Sequence, residues 1–92
     1  MTTPKALLIL HGKQALNEDV RAAVQARREQ GTELAVRVTW EGGDAQRMVA
    51  DALEHGYTHI IAGGGDGTLR DVAQAMAHAK TDASLVLMPL GT

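Results

Sequence analysis

The chain has 92 residues and a net charge of -2, from nine basic and eleven acidic side chains spread along its length. That size suits one small domain, and that balance offers neither the basic footprint of a nucleic-acid binder nor a polybasic membrane patch. It has no cysteine and no phenylalanine, so disulfides, thiolate metal sites and cysteine nucleophiles are excluded, and the core must be made of Ala, Val, Leu, Ile and Met.

The start, MTTPKALLIL, lacks the length and flanks of a signal peptide, and no stretch is long enough to span a bilayer. A soluble cytoplasmic protein is the expectation. Ala6 to Leu10 is a continuous apolar run of strand length, and continuous rather than alternating apolarity predicts a strand covered on both faces. Asn17 is placed to cap a helix running to about Gln30, with Gly31 as its stop. Val20, Ala23 and Val24 form its apolar stripe. Leu34, Val36 and Val38 alternate with Glu33, Ala35 and Arg37, the period of a second strand.

Asp44 opens a second helix, in which Ala45, Met48, Val49, Ala52 and Leu53 share one face of a 3.6-residue period. Gly56 ends it. His59 to Ala62 is the third strand. Leu69, Val72, Ala73 and Met76 mark a third helix, from about Thr68 to Lys80. Leu85 to Met88 is the fourth strand, followed by Pro89, Leu90, Gly91 and Thr92.

The order β-α-β-α-β-α-β predicts a three-layer α/β/α domain with a parallel sheet and right-handed crossovers. The last strand has no closing helix after it, which suggests a piece of something longer. An uncovered last strand is also expected to drive association, a homodimer included.

In a parallel sheet all strand C-termini lie on one edge, and ligands bind outside that edge. Here the strands end in HGK (His11 to Lys13), TWEGGD (Thr39 to Asp44), GGGDGT (Gly63 to Thr68) and PLGT (Pro89 to Thr92). Most glycines that do not end helices sit on this rim. GGGDGT carries the strongest signal. Glycine lets backbone N–H groups approach a ligand with no Cβ in the way, and the loop feeds a helix N-terminus, which favours an anion. Thr68 can cap that helix or bind a phosphate oxygen. Asp66 in a phosphate loop implies a metal, a ribose hydroxyl or an acceptor proton nearby.

The loop is neither a Walker A sequence, since no Lys follows the glycines, nor the dinucleotide fingerprint, since Thr68 stands where the third glycine should be. The bland alternative is a strand-to-helix turn with Asp66 near the cap. Asp71, three residues after Thr68, reads equally as a capping-box acid. Trp40 can stack on adenine or pack at an interface. His11, His55, His59 and His78 show no metal-ligand spacing.

GGGDGT after IIA, VTWEGGDA upstream and PLGT downstream resemble the diacylglycerol-kinase catalytic-domain family, and more narrowly the bacterial YegS-like lipid kinases. LLILHGK resembles the family's first strand, with His11 where Asn is usual. The resemblance covers the whole chain. GGDGT by itself is shared with NAD kinases, whose N-terminal domain has a similar fold.

The resemblance implies the N-terminal ATP-binding α/β domain (residues 1–92) of a two-domain ATP- and Mg2+-dependent kinase acting on a diacylglycerol- or phosphatidylglycerol-like lipid hydroxyl at the membrane surface. The β-rich C-terminal lipid-binding domain, the proton-accepting acid and a structural metal site, Ca2+ among the candidates, would lie outside this chain. By position, Thr39, Gly64, Gly65, Asp66, Gly67, Thr68, Leu69, Arg70, Asp71 and Thr92 should surround the nucleotide, with Asp66 the residue nearest the chemistry. No metal ligand is assigned within the chain. Arg70 and Asp71 replace the family's usual Asn and Glu. The rival readings are a NAD kinase-like small-molecule kinase and a non-catalytic nucleotide-binding regulatory module.

Overall fold

The computed structural model describes residues 5–90. Its elements are β1 (Lys5–His11), a 3-10 turn (Gly12–Gln14), α1 (Glu18–Glu29), β2 (Glu33–Thr39), α2 (Asp44–Glu54), β3 (His59–Gly64), α3 (Asp66–Ala79) and β4 (Ser84–Pro89). The expected order of strands and helices is present. The 3-10 turn was not expected, and α3 begins at Asp66, two residues before Thr68.

The four strands form one parallel sheet in the order β2-β1-β3-β4. Leu8 lies opposite Val36 on one side and Ile61 on the other. The step from β1 to β2 runs one way across the sheet, and the next two steps run the other way. Crossovers of a single hand therefore place α1 on one face and α2 and α3 on the opposite face. The core divides accordingly. Leu7, Ile9, Ile60 and Ala62 meet Ala45, Val49 and Ala52 of α2 and Val72, Ala75 and Met76 of α3. Ala6, Leu8, Leu10 and Leu34 meet Val20 and Val24 of α1. The ALLIL run is buried throughout, as a central strand covered on both faces must be.

Local chemistry explains the helix positions. Asn17 Oδ1 accepts from Asp19 N at 2.9 Å and Val20 N at 3.2 Å, while Glu18 and Asp19 at one end and Arg27 and Arg28 at the other oppose the helix dipole. Ala23, expected in the apolar stripe, is exposed. It sits beside the stripe, and Val20 and Val24, one turn apart, bury this helix by themselves. The last strand is the barest. Leu85, Val86 and Leu87 are 36%, 44% and 51% exposed, because β4 lies at the sheet edge and α1 covers only the far side.

Candidate functional site

β1 and β3 are neighbours whose connections leave in opposite directions, so their C-terminal loops part and leave a crevice. His11 stands at one lip and the Gly64–Gly67 loop at the other. The glycines of that loop fall into two kinds. A Cβ on Gly63 would lie 2.7 Å from Leu10 Cδ2 and 3.0 Å from Met88 Cε. One on Gly64, where φ is 157°, would lie 3.0 Å from Thr68 Cβ and Oγ1. Both positions are crowded: a Cβ at Gly63 would make the ends of the Leu10 and Met88 side chains shift, and at Gly64 the positive φ also disfavours any other residue. A Cβ on Gly65 or Gly67 would meet nothing within 4 Å, and neither has a positive φ. Their bareness leaves backbone open to whatever occupies the crevice.

α3 starts immediately after. Its N-cap is Gly65, with no side-chain hydrogen bond onto the first turn. The capping-box reading of Thr68 and Asp71 is thus overturned: Thr68 lies inside the first turn rather than ahead of it. Asp66 is the first helical residue and is exposed. The leading N–H groups of a helix have no partner within the helix itself, and here no side chain of the described residues takes them up.

A cavity of about 670 Å³ opens beside this helix start. One wall is the β2–α2 loop, from Thr39 through Gly43, with Ala45 and Gln46. The other is α3, through Gly67, Thr68, Asp71, Gln74, Ala75 and His78, and His11 closes one end. Of the residues expected from the sequence, Thr39, Gly67, Thr68 and Asp71 line it. Gly64, Gly65, Asp66, Leu69 and Arg70 do not. Gly64 is buried in the sheet edge, Leu69 packs against the core under α2 and α3, and Gly65, Asp66 and Arg70 are exposed beside the opening. Thr92 lies outside the described residues.

Thr39 is half-buried, and its Oγ1 donates to Leu10 O at 3.3 Å. A hydroxyl has one proton, so in this arrangement Thr39 faces a ligand only as an acceptor. His11 Nδ1 accepts from Lys13 N at 3.1 Å, which leaves the proton of a neutral ring on Nε2.

The residue that sequence reasoning undervalued is Asp44. It is 4% exposed. Its Oδ2 accepts from Trp40 N at 2.8 Å and Glu41 N at 3.0 Å, and its Oδ1 accepts from Arg47. The Trp40 and Glu41 N–H groups, with Arg47 behind them, hold its carboxyl below the ordinary value of 3.8, against the upward push of burial. This carboxylate ties Trp40 and Glu41, in the cavity-side loop, to the start of α2. Gly43, at φ 90°, lets the chain reverse so that Asp44 points inward. The signal in the sequence was an acid directly after two glycines at a helix start. Gln74 and His78 were missed as well, although they follow Asp71 at helical spacing.

The diacylglycerol kinase catalytic domain family matches residues 5–92. The chain is 70% identical over its full length to a probable YegS-like lipid kinase of Pseudomonas fluorescens, of which it covers 31%. It is 67% identical to the protein of the same description in Pseudomonas syringae pv. syringae and 64% identical to that in Pseudomonas aeruginosa, again over the full chain and 30% of each relative. The chain therefore spans about a third of the length of these relatives.

Proposed function

This chain belongs to the diacylglycerol kinase catalytic domain family, and we propose that it is the nucleotide-binding part of a lipid kinase, which holds ATP while the γ-phosphoryl passes to a lipid hydroxyl. The observation that carries the reading is the open start of α3. N–H groups that no side chain of the described residues caps, and the positive end of the helix dipole, stand beside two glycines that packing does not require. That is the chemistry of a phosphate site.

Phosphoryl transfer asks a protein mainly for positioning and charge neutralisation. The backbone of Gly65 to Thr68 would receive the phosphates. Thr39 would accept a hydrogen bond from the sugar or base, and the Asp44-tied loop would keep the opposite wall in place. Asp66 and a phosphate repel each other unless a divalent cation lies between them. Among the described residues no group of three or more His, Asp or Glu is placed to share a metal ion. On this reading Asp66 would hold Mg2+ together with the nucleotide's phosphates, and the ion would supply neutralisation of phosphate charge.

The lipid site and the acid that takes the hydroxyl proton belong, on this reading, to the portion of the relatives beyond these residues. On this reading the lipid is reached peripherally, from the cytoplasmic side; no described helix is long and apolar enough to cross a membrane.

The test is phosphate transfer from labelled ATP by the full-length gene product with Mg2+, offered a membrane lipid extract and NAD in parallel. Label in the lipid fraction is the expected result. Label in NAD would move the protein to the sister activity, and ATP binding without transfer to either would leave a regulatory module.

A further inference from the structure

Trp40 is the largest apolar side chain in the protein, and the sole Trp of a small domain is ordinarily packed. Here it is 84% exposed. A buried aromatic of this size hides roughly 150–250 Å² from water, and Trp40 forgoes nearly all of that. Yet it is not loosely placed. Its backbone N–H is fixed by the buried Asp44 carboxylate at 2.8 Å. Its ring edge lies beside Gly12, where a Cβ would come 3.7 Å from Cε3 and 3.1 Å from Thr39 O. The ring therefore has a supported edge and a free face, and it lines the same cavity as Thr68.

The chain holds one other large aromatic, Tyr57. That ring sits just before β3, at the opposite edge of the sheet, with Lys5 Nζ 4.5 Å from its centroid. On the ligand edge Trp40 is the one extended aromatic face among the described residues.

We propose that Trp40 is the platform on which the nucleotide base stacks, with the phosphates at the α3 start across the cavity. The inference rests on the ATP-binding reading above and names the subsite for the base. Stacking of this kind is tolerant of base identity, because every base has a π-face. Trp40 accordingly contributes affinity for purine nucleotides in general, and ATP and GTP gain from it alike.

The experiment is equilibrium binding of ATP, GTP and inorganic tripolyphosphate to the full-length protein, its Trp40→Ala variant and its Trp40→Phe variant. Trp40→Ala should weaken both nucleotides by about 5- to 150-fold and leave tripolyphosphate unchanged, while Trp40→Phe keeps most of the affinity. Because the ring is exposed, the thermal midpoint should not fall. Undiminished nucleotide binding by Trp40→Ala overturns the stacking role and leaves the ATP reading standing. Equal loss for nucleotide and tripolyphosphate also overturns it, since that pattern means a displaced loop. Loss of binding to phosphatidylglycerol–phosphatidylethanolamine vesicles with ATP unaffected would reassign the ring to the membrane surface. A wild-type protein that binds neither ATP nor tripolyphosphate removes the parent reading and this one together.

Discussion

The starts of α1 and α3 face the same solvent edge and are built in opposite ways. At α1, Asn17 folds over the first turn and takes two N–H groups with one oxygen. At α3, Gly65 takes none, and the carboxylate that follows it stands in solvent. A closed helix start is a structural end, complete in itself. An open one beside bare glycines forgoes the stability of a cap, and a bound phosphate would supply what the cap does not.

The largest expected effect comes from the open end. Asp66→Ala in the full-length protein should cut phosphoryl transfer by about 100-fold or more and leave the thermal midpoint in place, because the side chain is exposed. Turnover at the wild-type rate would break the comparison at its functional end. Asn17→Ala should do the reverse, with a loss of about 1 kcal/mol of stability by chemical denaturation and unchanged ATP affinity. A drop in affinity there would show that the closed end also serves the ligand.

The smallest effect concerns the start of α2, where Asp44 turns inward. Its folded pKa is depressed, so between that value and 3.8 the unfolded chain binds more protons and stability rises with pH. The contribution is complete above 3.8, declines as pH falls through the folded value, and is absent below it. Asp44→Asn should flatten that acid limb of the stability profile. An unaltered slope would mean that the Trp40 and Glu41 N–H groups do not discriminate the ionised form.

Much of the architecture was legible because it depends on period. ALLIL reads as a doubly covered strand, and the face of α2 from Ala45 to Leu53 reads as a core face, without knowledge of their partners. The α3 boundary was misplaced because Thr is a better cap than Gly, so Thr68 drew the start toward itself. The structure uses Gly65 instead and turns Thr68 against Gly64. The sorting of the loop glycines was not legible at all. Whether a Cβ is tolerated at residue 63 or 65 depends on where Leu10 and Met88 lie in space. Asp44 was read only as a helix start, and its tie to the loop was missed for a similar reason, since two of its three partners are backbone N–H groups, which no side-chain pattern reports.

The central place of β1 bears on how the protein comes into being. Of the four described strands β1 is made before the others; it is flanked by β2 on one side and β3 on the other, and β3 emerges from the ribosome only after α1, β2 and α2. Until then a strand with a wholly apolar middle, Ala6 to Leu10, has one unpaired edge, the kind of surface on which nascent chains misassociate. Translation through α2 is therefore the interval in which a chaperone would matter most, and docking of β3 is the step that ends it.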